Sequence, residues 1–335
     1  MSRELRGSGE EALIAAYFAP LAASFEGAHH LLDDCASLRP APGQDLVLTT
    51  DAVAAGVHFF ADDPAGDIAW KALAVNVSDL VAKGARPVCY LMSVAFPERP
   101  AELWLEAFAK GLAAAQSRFG IVLAGGDTDR RPGPMAITIT AVGELPHGRM
   151  VRRTTGRPGD LLFVSGQLGS SALGLRLRRD PALAFDLGLT EDETSGLVGR
   201  YLRPEPRIEL VNAVREHASA SMDISDGLAK DLGRLVRASG VGALVETQRL
   251  PLSPAFQAAA AARADIFSDA LAGGDDYEVL AAVSPDAAER FRLAASAASV
   301  PVTSIGEITE GPGVRFVDGS GSEISVGYAG WDHFA

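Results

Sequence analysis

The chain has 335 residues, enough for two ordinary domains, and its 47% hydrophobic and 22% charged residues are the balance of a folded, water-soluble protein. A formal net charge of −13 argues against nucleic acid as a partner, because phosphate backbones repel such a surface. Two cysteines, Cys35 and Cys89, exclude a disulfide framework and suit a reducing, cytoplasmic setting, while no apolar run nears the ~18 residues of a membrane span and the start MSRELRGSGEEALIAAYFAPLA lacks the pattern of a secretion signal.

Leu13, Ile14, Tyr17, Phe18 and Leu21 recur at helical spacing and predict a first helix over 10–25. The run DLVLTTD at 45–51 predicts a short strand closed by an acid. Over 67–84, Trp70, Leu73, Val77, Leu80 and Val81 share a helix face, and Gly84 stands where a left-handed cap would end it. A strand at 88–96 is stopped by Pro97, a helix over 101–120 closes on Gly120, and strands follow at 121–127 and 135–145. The turn-rich stretch GRMVRRTTGRPGD at 148–160 is the expected boundary between a first domain, 1–147, and a second, 148–335. The second opens on a strand at 161–166 and continues through helices near 169–179, 190–202 and 206–218. A strand and helix within 221–238 follow, then strands at 242–247 and 277–283, a helix near 285–298, and strands at 301–308 and 313–318. Helices and strands mix in both halves, so the fold class is α/β or α+β.

Acids close several apolar runs: LTTD ending at Asp51, LAGGD at Asp127, SMDISD with Asp223 and Asp226, and LAGGDD with Asp275. This reading sets Asp51, Asp127 and Asp223 at strand ends and Asp226 at a helix start. If such carboxylates converge, each pair about 4 Å apart costs roughly 4 kcal/mol at an effective dielectric of about 20. A cluster then persists only if it is protonated, separated by water or bridged by cations. All-oxygen ligands without His or Cys spacing disfavour zinc and select a hard ion, with Mg²⁺ the usual choice beside phosphates. Each string also has a plainer reading. LLDDCA at 31–36 can be a solvated turn, Asp79 a surface partner of Lys83, and AGGDTDR a hairpin turn. Ser225 or Asp226 can be a helix N-cap, which leaves Asp223 unexplained, and His58 can be a boundary histidine.

Glycine-rich turns and helix starts present N–H groups to phosphate, and Arg130, Arg131, Arg152 and Arg153 are forks that could hold its oxygens. No Walker A or protein-kinase signature is present. VNVSDLVAKG and MDISDGLAKD echo each other with Asp79 and Asp226 147 residues apart, and the two Gly-Gly-Asp triplets set Asp127 and Asp275 148 apart. Ancient duplication and convergence on one chemistry both account for the echo.

The ordered set DDCA, TTDAVAAGVHF, KALAVNVSDLVAKGARP, AGGDTDR, RRTTGRPGD, MDISDGLAKDL, AGGDDYE and GWDHF resembles thiamine-monophosphate kinases, within the superfamily typified by aminoimidazole ribonucleotide synthetase. The resemblance runs from about residue 10 to the end. It implies a two-domain synthetase-like fold. The N-terminal domain would bind ATP and Mg²⁺ and form a dimeric sheet or barrel, the C-terminal domain would be α/β, and the active site would lie between them. It further implies a homodimer that transfers the γ-phosphoryl group of ATP to thiamine monophosphate with several Mg²⁺ ions. Carried over position by position, Asp34, Thr49, Thr50, Asp51, Asp79, Asp127, Asp223 and Asp226 match metal-binding positions, with Asp127, Asp223 and Asp226 the catalytic ones. Gly126, Asp127, Arg153 and Ser225 match ATP contacts, and His58, Asp275 and Trp331 match substrate contacts. Two departures stand out. Leu32 occupies a place where glycine is common before the acid pair, and Asp275 stands where glutamate is common. On residue chemistry alone, a superfamily ligase acting on formylglycinamidine ribonucleotide and a nucleotide-binding protein without turnover remain alternatives.

Overall fold

In the computed structural model, which describes residues 9–326, the chain divides into two compact units. One comprises Met1–Leu80 and Arg86–Gly148, the other Val81–Ala85 and Arg149–Ala335. The first unit ends at Gly148 and the second resumes at Arg149, both within the turn-rich stretch, and Val81–Ala85 are grouped with the second unit. Trp331 lies outside the described residues.

The first unit begins with α1 (Glu10–Leu13), a π-helical turn (Ile14–Phe18) and α2 (Ala19–Ala22). The expected single helix is thus interrupted, and Pro20, which has no N–H to give the preceding turn, sits in the first turn of α2. Strands β1 (Gln44–Ala54), β2 (Arg86–Phe96), β3 (Val122–Arg130) and β4 (Ala136–Pro146) form a sheet in the order β1-β4-β2-β3. Helices α3 (Ala65–Ala82) and α4 (Glu102–Phe119) supply the rest of its core, with Leu73, Val77, Leu80, Phe108, Leu112 and Phe119 wholly buried. Trp70 of α3 meets Phe119 of α4 edge to face at 5.1 Å between ring centres. Gly84 and Gly120 end the two helices at φ +69° and +64°, a backbone state that glycine reaches without strain.

Burial alternates along β4, with Ile137, Ile139 and Ala141 buried and Thr138, Thr140 and Val142 on the less covered face. Leu48 of β1 and Leu91 of β2 pair with Val142 and Thr140 on that same face and are 65% and 43% exposed. Between β2 and β3 the parallel register shifts at Tyr90 and Leu91, and the strands close on each other at Gly126. A Cβ there would lie 1.9 Å from the Met92 carbonyl oxygen, so only glycine fits.

The second unit holds β5 (Leu161–Ser165), β6 (Ala218–Ile224), β7 (Gly242–Glu246), β8 (Glu278–Val283), β9 (Val302–Thr309) and β10 (Gly313–Val317) in the order β10-β7-β9-β5-β8-β6. All pairs are antiparallel except β10 with β7. β8 is buried at every position, as a strand covered on both faces must be. Its helices are α5 (Ser170–Arg179), α6 (Leu183–Asp186), α7 (Glu191–Leu202), α8 (Val211–His217), α9 (Leu228–Ser239), α10 (Pro254–Ala262), α11 (Phe267–Ala272) and α12 (Pro285–Ala297). Leu232, Leu235 and Val236 of α9 join Leu162, Met222 and Ile305 of the sheet in one apolar cluster. On α12, Phe291 packs edge to face on Phe163 at 5.3 Å. Leu173, Leu197 and Phe256 of α5, α7 and α10 build a separate helical cluster. Helices α6, α10 and α11 have no counterpart among the sequence-based expectations.

Candidate active site

Asp51 and Asp127 are not at strand ends as expected. β1 runs on to Ala54 because every residue from Gln44 onward pairs with β4, and β3 runs on to Arg130 against β2. Both acids therefore stand on the straight edge of a ladder, and both are exposed. The Gly-Gly-Asp triplet at Asp127 belongs to a strand and not to a hairpin turn.

In the first unit β1 is tied to the polar residues of α3. Thr49 Oγ1–H donates to Asp79 Oδ2 at 2.5 Å, and the Asp51 N–H donates to Asn76 Oδ1 at 2.9 Å. Asn76 is wholly buried and anchored through Nδ2–H to the Ala72 carbonyl at 3.1 Å. Asp79 takes its bond from Thr49 and not from Lys83, whose ammonium donates to the Ser221 carbonyl. Thr50 Oγ1–H donates to the Ile139 carbonyl and accepts from Thr140 Oγ1, each at 3.1 Å, so it keeps fewer lone pairs for a ligand than Thr49. His58 Nδ1 accepts from the Ala54 N–H at 3.1 Å, which puts the proton of the neutral ring on Nε2. Its carbonyl accepts from the Nζ of buried Lys71 at 3.0 Å.

A cavity of about 810 Å³ opens beside Gly126 and Asp127, over the less covered face of the sheet. Asp33, Asp34 and Ser37 contribute polar groups from the N-terminal loop, and Phe18, Phe25 and Leu38 contribute apolar ones. The loop carries three consecutive non-glycine residues at positive φ, His29, His30 and Leu31 at +49°, +60° and +56°. Such residues cost roughly 1–2 kcal/mol each, so surrounding contacts must hold them. His29 Nε2 meets Ser37 Oγ at 3.2 Å, and the Ser37 N–H donates to the Gly27 carbonyl at 2.8 Å. Leu32 itself has φ −104°, a backbone state that needs no glycine.

In the second unit Asp223 is the buried penultimate residue of β6. Neither Ser225 nor Asp226 caps the helix that follows. The N-cap of α9 is Gly227 at φ +109°, with no side-chain cap. Asp231, one turn into α9 and fully buried, reaches back and accepts the Ser225 and Asp226 N–H groups at 3.0 and 2.8 Å. Burial pushes its carboxyl up to about 6, against the lowering effect of the Asp226 N–H. Arg234 bridges Asp231 Oδ1 at 2.7 Å and Asp226 Oδ2 at 2.6 Å, and Lys230 Nζ lies 3.4 Å from Asp226 Oδ2.

The segment before β8 lies against the end of β6. Asp275 N–H donates to the Ser225 carbonyl at 2.9 Å and Tyr277 N–H to the Ile224 carbonyl at 2.8 Å. Asp223, Ser225, Asp226 and Asp275 are thereby brought into one neighbourhood. Asp275 and Tyr277 both hold positive φ, +66° and +51°, and the Tyr277 hydroxyl donates to Asp275 Oδ1 at 3.1 Å. The alternate residues are anchors that sequence reasoning missed. Asp276, wholly enclosed, accepts the Gly169 N–H with both oxygens at 3.1 and 3.0 Å, and burial pushes its carboxyl well above the usual range. Glu278 is buried and takes bonds from Ser165 Oγ at 2.7 Å, Arg207 Nε at 2.7 Å and Nη2, and Arg200 Nη2 at 3.1 Å. The string AGGDDYE holds both, but Asp276, Tyr277 and Glu278 are buried in succession, so no alternation in the sequence marks them as anchors. Arg153 has an exposed side chain, and its carbonyl accepts from Ser239 Oγ at 2.8 Å.

Among the described residues, no three His, Cys, Asp or Glu side chains gather into a group that could hold a metal ion. The donors at Thr49, Asp51, Asp79 and Asp127 are all oxygen, which fits Mg²⁺, an ion commonly held by one or two carboxylates together with nucleotide phosphates.

Comparison with known proteins gives concordant matches. The family described as AIR synthase related protein matches with its N-terminal domain over residues 32–145 and its C-terminal domain over 157–319. The thiamine-monophosphate kinase of Caulobacter vibrioides is 41% identical over 323 residues, 96% of this chain and 89% of the relative. The crystal structure of thiamine-monophosphate kinase from Stenotrophomonas maltophilia K279a superposes with a TM-score of 0.79 at 40% identity, covering 85% of this chain and 89% of that one. A structure of AaThiL complexed with AMPPCP and TMP superposes with a TM-score of 0.76 at 33% identity, covering 88% and 89%.

Proposed function

The chain belongs to the thiamine-monophosphate kinases, within the AIR synthase related family, and from that premise we propose which of its side chains carry the reaction. It transfers a phosphoryl group from ATP to thiamine monophosphate, making thiamine diphosphate. The observation that carries this conclusion is the relative that binds AMPPCP and TMP together, whose fold this chain follows over nearly its whole length.

The acceptor is a phosphate oxygen already ionised at pH 7, so no strong general base is required. What opposes reaction is repulsion between two anions, and catalysis reduces to charge neutralisation and in-line alignment. Asp34, Thr49, Thr50, Asp51, Asp79, Asp127, Asp223 and Asp226 are the residues we assign to Mg²⁺. When bound, that ion supplies positive charge between the phosphates. Thr49 spends its proton on Asp79, so its hydroxyl oxygen presents lone pairs outward. We assign ATP to Gly126, Asp127, Arg153 and Ser225. The bare backbone that Met92 demands at Gly126 also lets phosphate approach closely. We assign the thiamine moiety to His58, as an Nε2–H donor, to Asp275, as a counter-charge for the thiazolium, and to Trp331. The shorter arm of Asp275 is steadied by the Tyr277 hydroxyl.

Incubating the purified protein with ATP, Mg²⁺ and thiamine monophosphate should yield ADP and thiamine diphosphate in equal amounts. Thiamine as acceptor should yield neither. ADP formed instead with formylglycinamidine ribonucleotide would replace this reading by the ligase one, and nucleotide binding without ADP from any acceptor would end it.

A homodimer is part of the proposal, supported by the exposed Leu48 and Leu91 on the less covered face of the first unit's sheet. Light scattering at micromolar concentration should give twice the 34.9 kDa chain mass, and a monomer would remove the dimer from the reading. Among the described residues no helix is long and apolar enough to cross a membrane. ATP as co-substrate supports cytoplasmic residence, which fractionation of the source cells checks.

A further inference from the structure

The geometry points to Asp231 and Arg234 as positioning residues that aim Asp226 at its cation, an inference that rests on Asp226 being a cation ligand. A carboxylate buried in a helix is costly unless its lone pairs are met by donors. Asp231 has no exposed surface, and its oxygens receive the Ser225 N–H, the Asp226 N–H and the Arg234 guanidinium. The first two donors belong to the loop that carries Asp226, so Asp231 fixes that loop's backbone.

Arg234 fixes the side chain. Its guanidinium is a planar fork, and here it spans two carboxylates, Asp231 Oδ1 through Nη1 and Asp226 Oδ2 through Nη2. Because Asp231 is itself held by the loop, the fork sets both the place and the rotation of the Asp226 carboxylate. Lys230 adds a second contact to the same oxygen, Oδ2. Asp226 is thus locked through one oxygen, and we assign Oδ1 as the one presented to the ion.

Two cations beside a metal ligand repel an incoming divalent ion, so attraction is not their contribution. Orientation is. The two roles predict opposite signs. Loss of a merely competing cation would tighten ion binding, whereas loss of an orienting fork weakens it.

The test is Mn²⁺ binding to the full chain in the presence of AMPPCP, read by the electron paramagnetic resonance of free Mn²⁺. Asp226→Asn should lose one class of Mn²⁺ site. Arg234→Gln should keep the site but weaken it by about 10-fold to 100-fold, the usual effect of removing a group that orients a metal ligand. Arg234→Lys, which keeps the charge without the fork, should be as weak as Arg234→Gln. Asp231→Asn should weaken the same site, and Arg234, one-third exposed, provides the variants expected to fold normally if Asp231→Asn does not. Unchanged or tighter Mn²⁺ binding in Arg234→Gln, or full rescue by lysine, would overturn the positioning role while leaving Asp226 as a ligand. Undiminished binding in Asp226→Asn would overturn the ligand assignment itself and this inference with it.

Discussion

Asp127→Asn is expected to lower turnover by about two to three orders of magnitude, the scale seen when one preorganised electrostatic group is removed, and to leave folding almost untouched. The asymmetry comes from where Asp127 sits. It is exposed on β3, across from Ser93 of β2, and it lines the cavity beside the N-terminal loop. An exposed side chain contributes within about ±0.5 kcal/mol to stability when replaced by an isostere. The carboxamide keeps the shape and the strand pairing but loses the negative charge that a cation between two phosphates requires. The check is kcat at saturating Mg²⁺, ATP and thiamine monophosphate, beside urea unfolding of the same preparation. A folded Asn variant turning over near the wild-type rate would remove Asp127 from the reaction. Buried Asp223 offers no such separation, since its replacement disturbs the end of β6 as well as the chemistry.

Glu278→Ala is expected to destabilise the fold by about 3–5 kcal/mol, as when one partner of a buried ion pair is removed. Glu278 has no exposed side-chain surface and neutralises Arg207 and Arg200, both mostly covered. Truncation leaves two guanidiniums facing a void and the Ser165 hydroxyl without its acceptor. For a unit of this size the midpoint of thermal unfolding should fall by on the order of 10 °C. Glu278→Gln, which keeps volume and one acceptor, should cost less. If Glu278→Ala unfolded within a degree or two of wild type, the network would be a surface ornament and not an anchor. The kinetic consequence is tied to the same geometry. Asp276 and Glu278 hold the chain so that Asp275 and Tyr277 stay at positive φ, which costs free energy that only such anchors can offset. KM for thiamine monophosphate should therefore rise in Glu278→Gln at temperatures where it remains folded.

Much of this protein could be read from local chemistry. The 3.6-residue spacing of Leu73, Val77 and Leu80 marks α3, the alternation of Ile137, Ile139 and Ala141 marks β4, and Gly84 and Gly120 mark helix ends, because each signal is contained in a few neighbouring residues. Helix α10 is not marked in the sequence because its alanine-rich stretch lacks an amphipathic stripe, and α11 because six residues are too few to show a period; both place residues in the cluster around Leu173 and Leu197. The ordered acid-bearing strings pointed to the family for a similar reason: chemistry written in contiguous motifs survives as text.

What the sequence determined by itself was therefore the kind of elements, the all-oxygen donor set and the class of reaction. Only the tertiary structure decided which acids face outward and which act as struts. DISDGLAKDL does not distinguish Asp226, half-buried in its loop, from Asp231, swallowed by α9 to hold that loop, and AGGDDYE does not separate Asp275 from Asp276. The lengths of β1 and β3, which carry Asp51 and Asp127 past the expected strand ends, were set by β4 and β2. The physical reason is the same in each case: a carboxylate's role depends on the donors and the dielectric around it, and those are supplied by residues far away in the chain.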